Sequence, residues 1–171
     1  MSATRQPFDP YAILTALERQ RVAYVLVGGF ARVIQGTDEL THGLDLTPSL
    51  RAENLRRLGL ALAELDAERV DGRTLALDEA TIREQPLTAL DSPHGELKLV
   101  PEPAGTRGGY DDLRRAATRE PIGKGLRPRV ASIAHLARML AALGREQDLP
   151  PLQQLRYLRE LESGLSRDIG R

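Results

Sequence analysis

With 171 residues, 41% of them hydrophobic, the chain can bury one core or a small α/β core with a helical extension. Its 24 basic side chains balance 24 acidic ones, which argues against broad nonspecific binding to nucleic acid or anionic membrane but leaves room for a local basic face. The absence of cysteine excludes disulfides, thiolate catalysis and Cys-ligated zinc. No apolar run approaches the roughly 18 residues of a membrane span. Met1 to Pro10 has no apolar stretch of signal-peptide length, so a cytoplasmic protein without a membrane partner is expected.

In chain order, Asp9-Pro10 reads as a helix start, with Ile13, Leu14 and Leu17 on one face. Ala23 to Val27 is a β-prone run closed by Gly28-Gly29, and Phe30 to Gln35 reads as a short helix stopped by Gly36. Leu44-Asp45-Leu46 alternates as a strand ending at Pro48. Arg51 to Leu65 is the clearest amphipathic helix, carrying Leu55, Leu58, Leu62 and Leu65.

Asp78 to Glu84 reads as a short helix. Leu87 to Leu90 and Glu96 to Val100 read as strands joined by the turn residues Asp91 to Gly95. Tyr110 to Ala117 reads as a helix, and Pro121-Ile122 with Arg129-Val130 as a hairpin about Gly123-Lys124-Gly125. Ser132 caps a helix bearing Ile133, Leu136, Leu140 and Leu143 that ends at Gly144. Pro150-Pro151 opens a last helix with Leu152, Leu155, Leu158 and Leu161, fraying from about Ser163. The expected organisation is an α/β (α+β) core over 1–130, with a small mixed sheet flanked by helices, and a C-terminal helical layer over 131–171.

The ordered series Tyr24 to Val27, Gly28-Gly29, Ala31, Gly36, Leu40-Thr41 and Leu44-Asp45-Leu46 resembles the bacterial nucleotidyltransferases of the AbiE-type toxin group, within the polymerase-β-like fold. Asn54, Gly95-x-Leu97-x-Leu99, Glu102-Pro103-x-Gly105, Tyr110 to Leu113, Ala131-Ser132 and Gly144-Arg145-x-x-Asp148-Leu149 continue it, so the resemblance spans roughly residues 10 to 160. It implies nucleotidyl transfer from a triphosphate to a hydroxyl, aided by magnesium. Asp-x-Asp on a strand puts two carboxylates on one face, and a third on a neighbouring strand completes an oxygen-ligand set. The resemblance places nucleotide contacts at Gly28, Gly29 and Thr41, where a glycine turn opens a helix.

This sequence departs from that pattern at the functional positions. The first carboxylate of the pair falls on Gly43, and only Asp45 remains. The third falls on Lys98, the arginine of Arg-x-Thr on Glu39, and two lysines on Leu140 and Gln147. Unit charges ~4 Å apart interact by ~4 kcal/mol at an effective dielectric of ~20, so an ammonium in place of a carboxylate works strongly against a divalent ion.

The expectation is a protein of this fold that has lost metal-dependent transfer. It would bind a nucleotide, an RNA or a partner protein in the old cleft, with no cofactor and Asp45 as a remnant. Lys98 is expected to reach Asp45 directly or through one water and to depress its pKa. The rival is an active enzyme that uses magnesium and a triphosphate through displaced carboxylates such as Asp38, Glu39 or Glu96, with Asp45 and Glu96 as the metal ligands. A DNA-binding regulator built on the terminal helices is a third reading, disfavoured by zero net charge, so duplex DNA is not an expected partner.

Gly123 to Gly125 reads as a turn, not a phosphate loop. His42, His94 and His135 read as surface or turn residues, and Arg114, Arg115 and Arg119 as a solvated helix face, with an RNA contact as the alternative.

Overall fold

The computed structural model describes residues 7–169. One mixed sheet of seven strands runs in the order β3 (Glu68–Arg69), β4 (Thr88–Ser92), β5 (Gly95–Leu99), β2 (Gly43–Pro48), β1 (Tyr24–Val27), β7 (Arg129–Val130) and β6 (Thr118–Arg119). Its centre is β1 (Tyr24–Val27), β2 (Gly43–Pro48) and β5 (Gly95–Leu99), so the three segments expected to be neighbours lie side by side. β2 is antiparallel to β1 and parallel to β5. β4 (Thr88–Ser92) is antiparallel to β5, and β3 (Glu68–Arg69) adds a short edge that two polar residues gave no reason to expect. At the other edge β7 (Arg129–Val130) lies parallel to β1 and antiparallel to β6 (Thr118–Arg119).

Capping chemistry sets several helix ends. In α1 (Pro10–Arg19) the Asp9 carboxylate accepts from the Ala12 N–H at 3.1 Å. The second helix, α2, begins at Gly28 rather than Phe30 and runs to Gln35. α3 (Ala52–Glu64) buries Leu55, Leu58 and Leu62, as its periodicity predicts. Its buried Asn54 fastens the sheet: Oδ1 accepts from the Ala23 N–H at 2.7 Å, and Nδ2 donates to the Ala23 and Ser49 carbonyls. α4 (Glu79–Arg83) is capped by Asp78.

Three expectations need correction. α5 (Tyr110–Leu113) stops four residues short, so Arg114 and Arg115 lie in a turn and Arg119 on a strand, not on a helix face. The edge hairpin pairs residues 118–119, not 121–122, with Arg129-Val130; Ile122 instead donates to the Leu126 carbonyl at 3.1 Å about the expected glycine turn. His135 is buried rather than on the surface, and its Nδ1 has no hydrogen-bond partner among the described residues.

The last two helices form a packed pair. Ser132 accepts from the His135 N–H at the start of α6 (Ile133–Leu143), and Gly144 ends that helix in the left-handed conformation. A 3₁₀ turn, Glu146–Asp148, leads into α7 (Leu149–Ile169). α6 packs on α2, and the Leu158 side chain of α7 lies over Gly36. α7 continues as helix through Ile169, past the point of expected fraying; residues 170 and 171 fall outside the described range. Among the described residues no helix is long and apolar enough to cross a membrane.

Candidate functional site

The β2–β5 register decides what the sheet can do. Gly43 stands opposite Glu96, Leu44 opposite Leu97, and Asp45 opposite Lys98. Alternation sends Leu44, Leu46, Leu97 and Leu99 into the core and leaves Gly43, Asp45, Glu96 and Lys98 on the other face. With Gly29 and the Leu40 to His42 loop, that face lines an open cleft of about 270 Å³.

The start of α2 forms one wall. Val27 stands at its N-cap without a side-chain capping bond, so backbone N–H groups at Gly28 and Gly29 begin the helix. Gly28 has φ +73°, and a Cβ there would lie 2.8 Å from the Asp45 carboxyl carbon. Glycine is therefore required at 28 by both backbone and space. Gly29 lies beside Thr41, whose hydroxyl donates to the Gly43 carbonyl at 3.1 Å and braces the loop. Gly29 and Thr41 line the cleft, and Gly28 lies against Asp45 beside it.

Asp45 is largely withdrawn from solvent. Burial pushes its carboxyl above the ordinary range; the charges of Lys98 and Arg32 oppose that rise and Glu96 adds to it. This overturns the expected depression by Lys98. The two residues share a register position without a direct hydrogen bond or ion pair between them, and the ammonium's charge lowers the Asp45 carboxyl against the effect of burial.

Glu39 is not simply a lost arginine. Its carboxylate takes a forked pair of bonds from Arg32, Nε to Oε2 at 2.9 Å and Nη2 to Oε1 at 2.8 Å, and a third from the Thr37 hydroxyl. Burial alone would raise its pKa, but the Arg32 and Thr37 bonds and the Arg32 charge outweigh it and hold the carboxyl below its ordinary value. Arg32, which sequence reasoning passed over, thus brings a guanidinium from α2 to the side of Gly29. The available signal was the reversed charge at 39 facing an arginine seven residues earlier across the Gly36 turn.

The remaining candidates divide. Glu96 is exposed and lines the cleft, and His42 is exposed beside it. Asp38 is exposed, and its N–H donates to Gln154 of α7 at 2.8 Å. Among the described residues no three His, Asp or Glu side chains converge as a cation site would require. Gly43 offers no ligand, Lys98 is a cation, and Glu39 is held by Arg32. The residues present do not fit the carboxylate set of a magnesium-dependent transferase.

No family model and no curated protein matches this sequence. Solved structures do resemble it. The lincosamide antibiotic adenylyltransferase LnuA, bound to lincomycin, superposes with a TM-score of 0.58 at 16% identity, over 89% of this chain and 99% of that one. The antibiotic-resistance factor ANT(2'')-Ia gives 0.56 at 14% over 94% and 92%. A putative nucleotidyltransferase from Thermotoga maritima gives 0.56 at 16% over 88% and 90%. The chain has the nucleotidyltransferase fold.

Proposed function

We propose that this protein has lost metal-dependent nucleotidyl transfer and serves as a binding or regulatory module, holding a nucleotide, an RNA or a partner protein in the old cleft. The observation that carries this reading is the Asp45–Lys98 register: a cation stands where the second strand of the site would supply a carboxylate. Gly43 and Glu39 support it, as does the lack, among the described residues, of three converging His, Asp or Glu side chains. The order of glycine and polar positions favours kinship with the AbiE-type toxin group. The division into a core over 1–130 and a helical extension over 131–171 belongs to the same proposal.

The test is label transfer. Purified protein with magnesium or manganese, each labelled triphosphate and total tRNA or protein is expected to leave the label on the triphosphate. Transfer that disappears in Asp45→Ala would overturn the proposal.

The enzyme reading keeps one specific support. Glu96 lines the same cleft, and its charge is felt at Asp45, so two carboxylates still face that space. It predicts transfer abolished by both Asp45→Ala and Glu96→Gln.

A further inference from the structure

Where β1 begins, at the opposite end of that strand from the cleft, lies a second concavity of about 290 Å³. Arg21, Tyr24, Tyr110, Arg119 and Arg129 line it, with Glu18 as its one carboxylate. Its surroundings are charged unlike the rest of the chain. Residues 114–130 carry six cations against Glu120 alone, in a protein of zero net charge. Several arginines elsewhere pair with carboxylates: Arg19 with Glu64, Arg56 with Glu53, and Arg83 with Glu79 and Glu102. Among the described residues, none of the cations of 114–130 forms an ion pair, and Glu120 instead accepts from the Thr118 hydroxyl at 2.9 Å.

Two details single out the pocket itself. Arg129 is half-buried, and its side chain makes one hydrogen bond, donated from Nη1 to the Tyr110 hydroxyl at 3.2 Å. A guanidinium carries five donors in a fixed fork, so partial burial with one neutral partner leaves donors that an anion would satisfy. Arg21 has φ +56° just beyond α1, where its N–H donates to the Glu18 carbonyl and the Val22 N–H to the Leu17 carbonyl, both at 3.0 Å. That helix ending ordinarily uses glycine. An arginine held there is strained, and nothing in the local hydrogen bonding requires its side chain.

The Tyr24 hydroxyl donates to Glu18 at 3.3 Å, so part of the one opposing charge is already engaged. Burial, with Glu18 beside it, pushes the Tyr24 phenol upward and keeps it a neutral donor, while the Arg119 charge opposes that rise.

We propose that this pocket is a phosphate-binding site separate from the cleft, in which Arg21, Arg119 and Arg129 grip a phosphate monoester and the Tyr110 hydroxyl assists. Three guanidinium groups against one carboxylate leave a net attraction for a dianion, and the forked geometry suits phosphate oxygens. The same dianion is offered by a small phosphomonoester and by the phosphorylated end of a polynucleotide strand.

The experiment uses calorimetry on the full chain with adenosine monophosphate, inorganic phosphate, and one oligonucleotide with and without a 5′-phosphate. Binding of the monophosphate or of the phosphorylated strand is expected, weakening with salt and about tenfold or more in Arg119→Gln and in Arg129→Gln. Binding of the small probes alone identifies a free phosphomonoester. Tight binding of the strand only when phosphorylated identifies a strand end. Equal affinity for the unphosphorylated strand, no binding of any probe, or affinities unchanged by both substitutions overturns the proposal. Arg119 is exposed, so Arg119→Gln decides the matter if Arg129→Gln fails to fold.

Discussion

A Cβ at Gly43 would stand 2.8 Å from the carbonyl oxygen of Glu96 and 3.0 Å from its Cβ. The missing carboxylate is therefore more than a missing ligand, because strand β5 has closed over the space its stem would need. Restoring the acidic pattern with Gly43→Asp and Lys98→Asp together is expected to give no magnesium-dependent gain in triphosphate affinity by calorimetry. The Gly43→Asp change should also lower unfolding stability by ~1–3 kcal/mol, the usual range for overpacking. A double variant that folds normally and binds triphosphate tightly with magnesium would refute this account of the strand approach.

Asp45→Asn should stabilise the protein at neutral pH. Burial raises the Asp45 carboxyl in the folded state above its ordinary 3.8, so the folded protein holds that proton more tightly than the unfolded chain. The resulting stabilisation is fully present below the unfolded value and is lost as pH rises through the folded one. Asparagine removes the charge whose burial is unfavourable. Urea midpoints at several pH values should show the variant ahead at pH 7, with the lead shrinking in acid. A lead that grows as pH falls would reverse the sign of the shift.

The sheet centre could be read in advance because its signals are local. Val25 to Val27, Leu44-x-Leu46 and Leu97-x-Leu99 are apolar at strand spacing, and Gly28 marks the turn that the Asp45 side chain enforces. Edge strands were harder to find. Glu68-Arg69 and Thr118-Arg119 have no apolar pattern and take strand form only because a neighbour offers its backbone.

In the cleft, aligned positions revealed the charge reversals but not their partners. Lys98 and Asp45 form no direct bond, because sharing a register position does not by itself bring two side chains within hydrogen-bond reach. Glu39 was counted as a loss, yet it is satisfied by Arg32 across a turn whose geometry no period of two or 3.6 encodes.

Glu39→Gln should destabilise the protein at neutral pH by ~1–3 kcal/mol, the range for a largely buried charge-assisted bond. The Glu39 carboxyl is depressed in the folded state, so its contribution is present above the ordinary 4.5 and lost as pH falls through the lower folded value. Chemical denaturation at pH 7 and in acid should show the difference between wild type and variant collapsing. Arg32→Lys should lose part of the same stability, because an ammonium cannot reproduce the fork. A pH-independent difference for Glu39→Gln would mean that packing, not charge, holds the loop.

Arg21→Gly separates strain from function. Arg21 adopts φ +56° just beyond the end of α1, a conformation costing roughly 1–2 kcal/mol for a residue with a Cβ. Glycine adopts it freely, and part of the gain is offset because glycine also loosens the unfolded chain. The expected balance is a gain of up to ~1 kcal/mol, which for a chain of this size raises Tm by about 2–4 °C. Arg21→Ala keeps the Cβ and should give no such gain, so it serves as the control for loss of the long side chain. Both variants remove one guanidinium from the pocket at the start of β1, and both should weaken phosphate binding there to a similar degree. The pattern to look for is stability that rises in only one variant while affinity falls in both. If Arg21→Gly melts no higher than Arg21→Ala, the left-handed turn carries no strain that arginine pays. Arg21 then gives no sign of having been placed there for its charge.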